Sequence, residues 1–520
     1  MARITLVNPR FDASYWGMEY ALPFFRRKCN LPTACLPLLA ALTPGEHEIT
    51  LVDENVEELD YDQLAKADIV GVTGMSVQRA RMREILTELK DRDVFTAVGG
   101  PWVTVREDYF GDLADVIFIG EAEETWPKFL NDWKAGDHQY RYEQLDKTDM
   151  TKVPVPRYDL LKMNQYMFGS LQFSRGCPFQ CEFCDIIVTF GRRPRLKTVE
   201  QVIAELDGLL EQGVETAFIV DDNLIGNKQA IKVVLRRVIE WQQQHHYKMN
   251  FFTEASLDLA DDAELMQLMV DANVSAVFVG IESPNEASLR ETKKFQNVRA
   301  GGTILEKVHR VQDAGIDVWC GMILGFDNDD ATVFDAHYKF LSESRIVQAM
   351  VGMLAAIPKT PLYTRLGNEG RLGESDEAEY GTNVIPQQMS RDELRDGYVK
   401  LLRKLHVPSS YFDRLDALFL DPKFHLSKTR TKHWRKHPII WLRENTWHLV
   451  RATGIYLQLM RMVPEPELRR EYRKRLLGLL RKRPDPVIAF IYLIKCAIHY
   501  HVHKMTAQME SRTRQVVNSF

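Results

Sequence analysis

Short apolar, β-branched runs recur through the first 140 residues: ITLVNP (4–9), ITLVDEN (49–55), IVGVTGM (69–75), FTAVGG (95–100) and VIFIGEA (116–122). Helical spacing fills the gaps, as in VQRARMREILTELKDR at 77–92. Near-continuous apolar strands alternating with helices predict a parallel sheet covered on both faces. Residues 1–140 are therefore expected to form an α/β domain, a five-stranded, doubly wound (Rossmann-like) sheet. Gly74, Gly99, Gly100 and Gly120 fall at strand C-termini, where open α/β sheets bind ligands. Tight turns alone would also account for them. A polar stretch ending in prolines follows, and residues 141–165 read as a linker.

A second series of strands runs LQFS (171–174), TAFIVDD (216–222), MNFFTEAS (249–256), SAVFVGIES (275–283), IDVWCGMILGF (316–326) and VQAMVGMLAAIP (347–358). Capping signals punctuate the helices between them: Thr198 stands three residues before Gln201, and Gly213 ends the same segment. Six such units within residues 166–384 predict a partial (β/α)6 barrel, short of the eight of a closed one. Asp221, Asp222, Glu254, Ser256 and Glu282 gather at the strand ends, the rim that carries the active site in βα barrels. From 385 to 520 the strand rhythm stops and a mostly helical domain is expected.

Composition sharpens this outline. The 520 residues are 45% hydrophobic and 27% charged, a globular balance. The first residues, MARITLVNPRF, lack signal-peptide architecture, and seven scattered cysteines argue against a disulfide framework. A reducing, cytoplasmic location is expected. The net charge of −5 hides an asymmetry: residues 401–520 carry 24 Lys and Arg against 9 Asp and Glu. The C-terminal domain therefore has a charge, and a partner surface, of its own.

Three cysteines stand together in SRGCPFQCEFCDI (174–186): Cys177, Cys181 and Cys184, in a Cys-x3-Cys-x2-Cys spacing. Three thiolates on one short loop can hold three irons of a 4Fe–4S cluster and leave the fourth open to a small ligand. Structural zinc is the alternative, but it takes four ligands, usually as two separated pairs, and no second Cys-x2-Cys exists. Three buried free thiols are the bland alternative.

The loop, its place after the first barrel strand and the partial barrel resemble the radical S-adenosylmethionine (SAM) superfamily. The resemblance implies that Cys177, Cys181 and Cys184 bind the 4Fe–4S cluster and that SAM chelates the open iron. Reductive cleavage of SAM then gives a radical that abstracts hydrogen from an unactivated carbon. It further implies that Phe183 packs on adenine, that Asp221 and Asp222 of VDDN meet the SAM amino group, and that Glu254 and Ser256 of TEAS hold ribose. Glu282 of GIES would line the same rim. Gly321 and Gly325 of GMILGF would let backbone approach adenine, although the usual acidic residue of that motif is displaced to Asp327 and Asn328.

A doubly wound domain ahead of such a barrel resembles the cobalamin-binding class of the superfamily. By that resemblance GVTGMS supplies Thr73, Gly74, Met75 and Ser76 to the cofactor. VGGPWVT supplies Gly99, Gly100, Pro101 and Trp102, and IGEAEET supplies Gly120 and Glu121. The Asp-x-His-x-x-Gly signature of cobalt-ligating histidines is absent, and some relatives keep the domain as an empty scaffold. The whole order, with NPRF, VDENVEELD and CDIIVTFGRRPR, resembles the bacterial subfamily containing the hopanoid C2 methylases. That implies methylation of an unactivated carbon of a lipid or isoprenoid-like substrate, with electrons from a reductant such as flavodoxin or ferredoxin. Coupling, cyclisation or rearrangement without methyl transfer is the rival within enzymes; an iron–sulfur electron carrier or sensor is the rival outside them. No side chain is singled out as catalytic.

In the C-terminal domain, RREYRKRLLGLLRKRP (469–484) sets eight basic residues around a leucine stripe, beside VIAFIYLI (487–494). Eight apolar residues fall far below the roughly 20 that span a bilayer. A basic amphipathic helix beside an apolar one predicts peripheral docking on an anionic membrane; a helical cap with a solvated basic face is the alternative. Nucleic acid is disfavoured, because aromatics are not interleaved with the arginines. His499, His501 and His503 are expected on a wet helix face rather than around a metal.

Overall fold

The computed structural model describes residues 1–299, 301–373, 380–511 and 518. The first sheet contains six parallel strands: β1 (Arg3–Asn8), β2 (Glu48–Asp53), β3 (Ile69–Thr73), β4 (Thr96–Gly99), β5 (Val116–Ile119) and β6 (Arg141–Glu143). Their order is β2-β1-β3-β4-β5-β6. The expected five strands are thus six: β6 lies inside the segment read as linker and pairs with β5 through Ile117↔Arg141 and Phe118↔Tyr142. The chain reverses direction across the sheet between β1 and β3, the switch point outside whose carboxyl ends such folds bind ligands. Helices such as Arg79–Lys90 and Thr125–Ala135 cover both faces. Leu86, Val98 and Ile117 fill one layer, and Phe118 and Phe129 the other.

The chain enters the barrel at β7 (Gly169–Leu171). A two-stranded antiparallel hairpin follows, β8 (Ser174–Arg175) with β9 (Arg195–Leu196), and the cysteine loop hangs between its strands. The remaining barrel strands are β10 (Thr216–Ile219), β11 (Asn250–Glu254), β12 (Val274–Glu282), β13 (Asp317–Leu324) and β14 (Ala349–Met353). All pair in parallel in the order β14-β13-β12-β11-β10-β7. This is the expected six-stranded partial barrel. Thr198 and Gln201 form the reciprocal cap foreseen at the helix Val199–Glu211.

Residues 391–511 form six helices. Two expectations fail here. VIAFIYLI does not face outward: Ile488, Ala489, Tyr492 and Leu493 are buried in the C-terminal core against Phe412, Phe419 and Leu459. Nor are His499 and His501 wet; both are fully buried. His499 Nε2 donates to the His406 carbonyl at 3.1 Å, so its Nδ1 accepts from Tyr472 Oη at 2.7 Å. His501 Nε2 donates to the Ser14 carbonyl at 2.9 Å and ties this helix to the N-terminal segment. A buried polar group must find such partners, and these two found backbone from distant parts of the chain.

Candidate active site

Gly176 shapes the start of the cysteine loop. Its φ of +94° is left-handed, and a Cβ there would lie 2.9 Å from the Gly191 carbonyl oxygen; only glycine fits. Its N–H donates to Asp222 at 2.6 Å. Cys181 is buried, and Cys177 and Cys184 are half-buried. Burial pushes the Cys177 and Cys184 thiols up, with Asp185 adding to the effect on Cys184. Thiolates shielded this way persist only against a cation, which fits a metal cluster. Gln296 Nε2 donates to Cys181 Sγ at 3.5 Å, Asn223 Nδ2 lies 4.0 Å from Cys177 Sγ, and the Lys294 ammonium stands close to Cys181 and Cys184. Such donors stabilise cluster sulfurs.

Geometry also separates cluster from zinc. Thiolates on one zinc at 2.3 Å sit about 3.8 Å apart. Among the described residues only His246, His433 and His437 bring three ligand atoms within 4.8 Å of one another. The three cysteine sulfurs are spread more widely than one ion requires.

The predicted rim residues meet around this loop in two kinds of role. Asp221, fully buried, accepts from Phe173 N at 2.8 Å and Ser174 Oγ at 2.5 Å, and burial pushes its carboxyl up to about 7. It braces the entry to the loop, as Asp222, pushed up to about 6, braces Gly176. Glu254 is raised furthest, to about 8, by burial and then by Asp222. Ser256 accepts from Asn223 at 3.1 Å and donates to Asp258 at 2.5 Å. Glu282 is held in a left-handed backbone (φ +66°) and pairs with Lys294 at 2.7 Å. Lys294 and Gln296 were missed from the sequence; the only signal was the run ETKKFQN after GIES. Phe183 packs obliquely on Phe326, 6.2 Å between ring centres. Gly321 lies within β13, and the side opened by Gly325 (φ +98°) is occupied by Leu394 of the next domain. The displaced acid resurfaces as Asp329, which accepts from Gly325 N and Phe326 N, both at 3.0 Å.

Above the carboxyl ends of β1, β3, β4 and β5 opens a cavity of about 1490 Å³, beyond the 300–1,000 Å³ of an ordinary ligand site. Thr73, Gly74, Met75, Ser76, Gly99, Gly100, Pro101, Gly120 and Glu121 all line it. Trp102 does not; it is buried beneath, with Arg79 over its ring. Gly100 is the tightest point: φ is +103°, and a Cβ would meet Thr73 Oγ1 at 2.7 Å and Gly74 O at 2.9 Å. Backbone with no side chain forms the cradle, which fits a bulky cofactor pressed against it. Glu121 faces two ways, since Arg175 and Arg195 each reach it at 2.9 Å. Burial pushes its carboxyl up, and the two arginines with the Thr148 N–H outweigh this and hold it below the usual range. This buried ion cluster joins the first sheet to the cysteine hairpin.

The cavity continues into the barrel, where Trp16, Phe168, Phe218, Phe252, Phe278 and Trp319 form its wall. Phe252 stacks on Phe218 at 4.8 Å and touches Trp319 at 5.4 Å. Glu254 and Asp185 reach it from the cysteine side. One space thus connects the glycine cradle, an aromatic wall and the rim of the thiol loop.

Residues 171–341 match the radical SAM superfamily, and residues 360–515 match a domain of unknown function (DUF4070). An uncharacterized methyltransferase of Synechocystis sp. is 37% identical over 505 residues, covering 96% of this chain and 91% of that protein. The hopanoid C-2 methylase of Rhodopseudomonas palustris is 35% identical over 420 residues, covering 80% and 79%. Among solved structures, the cobalamin-dependent SAM radical enzyme OxsB, with aqua-cobalamin and SAM bound, aligns over 98% of this chain and 80% of its own, with a TM-score of 0.58 at 15% identity. The methyltransferase TsrM from Kitasatospora setae, with cobalamin and a [4Fe-4S] cluster bound, gives a TM-score of 0.58 at 16% identity, covering 76% and 82%. The two share the fold. With its thiol loop, partial barrel and near-full-length relatives, the chain belongs to the radical SAM superfamily of enzymes, among the methyltransferases that include the hopanoid C-2 methylase.

Proposed function

We propose that the chain transfers a methyl group to an unactivated carbon of a hopanoid-like, fused-ring hydrocarbon, using cobalamin beside the cluster and SAM. The observation that carries this is the single cavity leading from the glycine cradle to the aromatic wall. When bound, SAM at the cluster supplies a hydrogen-abstracting radical and cobalamin supplies the methyl group. Cys177, Cys181 and Cys184 would hold the cluster, and the loops at Thr73–Ser76, Gly99–Pro101 and Gly120 would hold cobalamin. Phe218, Phe252, Phe278 and Trp319 bury a flat hydrocarbon, at about 25 cal/mol per Å² of apolar surface, and offer it no competing hydrogen bond. The names of two relatives, hopanoid C-2 and C-3 methylases, support the substrate class. An electron carrier has no use for a cavity of this size. Coupling or cyclisation would use the same wall but leave the cradle without a role. Electrons would come from a flavodoxin- or ferredoxin-like protein. Among the described residues no helix is long and apolar enough to cross a membrane.

The reading makes three predictions. Purified protein is expected to retain hydroxocobalamin in equilibrium dialysis, and Gly100→Ala to lose most of it, because a Cβ at this left-handed φ would press on Thr73 Oγ1 and Gly74 O and displace the cradle loops. Met75→Asp, on the exposed rim of the same cavity, should weaken retention without backbone strain. No retention by the wild type would remove methyl transfer and leave coupling or cyclisation. With methyl-deuterated SAM and a hopanoid substrate, the product should gain one labelled methyl group by mass. Phe252→Ala should raise the KM for the hydrocarbon about tenfold, from roughly 60 Å² of lost apolar contact at about 25 cal/mol per Å², while SAM cleavage persists. An unchanged KM would place the substrate elsewhere.

A further inference from the structure

The helix Pro438–Met462 is apolar on two opposite faces. Inward, Ala452, Ile455 and Leu459 pack into the C-terminal core. Outward, positions 439, 442, 446, 449, 450, 453 and 457 follow the three-and-four spacing of one helix face. They hold Ile, Leu, Thr, Leu, Val, Thr and Leu, with no charge among them. The five aliphatic side chains are 56–84% exposed. A surface helix ordinarily turns its polar side to water, and a contiguous exposed apolar stripe marks a contact surface. Trp447 flanks it, nearly half exposed, and such rings favour membrane–water interfaces. Residues 428–462 contain eight Lys and Arg and a single acid, Glu444. Lys432, Arg435 and Lys436 are exposed just before the helix.

We propose that this face, rather than the basic helix Pro466–Lys482, docks the enzyme on an anionic bilayer. The aliphatic stripe would enter the headgroup boundary, Trp447 would sit at its edge, and the lysines and arginines would face anionic phosphates. The combination selects a bilayer over a second copy of the chain. A 25-residue helix is about 37 Å long, so a stripe about 10 Å wide offers on the order of 400 Å², half of the ~800 Å² per partner in a stable dimer. Two such basic faces would also repel each other.

The attachment has a defined orientation. Arg451 pairs with Glu215, Thr429 with Asp271, and Trp434 Nε1 donates to the His246 carbonyl at 2.7 Å. Glu215, Asp271 and His246 precede β10, β12 and β11, so the helix lies at the end of the barrel where strands begin. The thiol loop lies at the other end. Docking therefore holds the enzyme on the lipid while leaving the cluster side open to a soluble reductant. The purpose of this device rests on the lipid-substrate reading; the geometry does not.

The test is co-sedimentation of the cluster-loaded, full-length enzyme with phosphatidylcholine vesicles, with and without phosphatidylglycerol. Wild type should bind anionic vesicles, and binding should fall with salt. The variant Leu442→Ser/Leu449→Ser/Leu457→Ser should bind at least about tenfold more weakly, with its melting temperature and SAM cleavage unchanged. Lys432→Gln/Arg435→Gln/Lys436→Gln should lose the preference for phosphatidylglycerol. Arg473→Gln/Lys474→Gln/Arg481→Gln/Lys482→Gln, on the other helix, should bind like wild type. Equal binding by the leucine variant, no binding by wild type, or a dimer in light scattering that the leucine variant dissolves would each overturn the assignment. Vesicle binding by protein that transfers no methyl group would leave the docking face standing and remove the methyltransferase reading alone.

Discussion

Alanine at Cys177, Cys181 or Cys184 is expected to abolish the iron–sulfur cluster and SAM cleavage together. Each thiol sits on one loop between the paired strands β8 and β9, so losing one ligand leaves two thiolates to hold a cluster that needs at least three. Anaerobic reconstitution should give about four irons per wild-type chain and less than one in each variant, with loss of the visible charge-transfer absorbance. Cys29→Ala and Cys35→Ala should keep full iron. Cys320 and Cys496 are fully buried, so their alanine variants should keep iron but lose about 1 kcal/mol of stability from removed core volume. Near-wild-type iron in any of the first three variants, with unchanged circular dichroism, would refute the ligand assignment. A cluster that persists while SAM cleavage stops would instead assign that residue to SAM positioning.

Much of this architecture was legible because it depends on short-range pattern. Apolar runs four to nine residues long, bounded by glycine and acid, announce buried parallel strands. Three thiols within eight residues announce a metal. Strand β6 was not legible, because Arg141–Glu143 has one buried residue in three and is held by backbone pairing that no side chain advertises. Within the helical domain that was expected, the outward apolar face of Pro438–Met462 was missed for the opposite reason: apolar residues on two faces erase the period that would reveal either one. Lys294 was invisible because its role depends on Glu282, brought near by the left-handed turn that ends β12. The histidines were misread because their partners lie up to 487 residues away; sequence spacing carries no trace of such contacts.

Buried histidines, these two with His406 and with His337 of the barrel helix Val333–Glu343, set the second large effect, an acid-driven opening of the C-terminal helices. His337, His406, His499 and His501 are fully or almost fully buried. Burial pushes His406 and His499 down to about 3 and His337 and His501 down to about 4; Arg414 adds to the effect at His406. All four are neutral in the folded chain at pH 6, while their unfolded counterparts protonate below the ordinary 6.5. The unfolded state therefore takes up more protons, and stability falls as pH drops from 6.5 toward the folded values. Each such group removes about 1.4 kcal/mol per pH unit. At about pH 5 the four together remove on the order of 8 kcal/mol. The buried carboxyls of Asp221, Asp222 and Glu254, raised in the fold, oppose this by taking up protons in the native state over the same range. The carboxyls lie in the barrel, so the histidine effect is felt in the C-terminal helices. The C-terminal helices, which carry His499 and His501 between Tyr472, His406 and Ser14, should open first. Circular dichroism at fixed temperature is expected to show a partial loss of helix near pH 5, from the C-terminal helices, before the barrel unfolds. His499→Gln can keep both hydrogen bonds, accepting from Tyr472 and donating to the His406 carbonyl, but it cannot titrate. It should lower the proton uptake on unfolding by about one and shift the midpoint to lower pH. A wild-type midpoint near pH 4 or below, unchanged in His499→Gln, would assign the transition to carboxylates and show that the buried imidazoles reach water before the fold is lost.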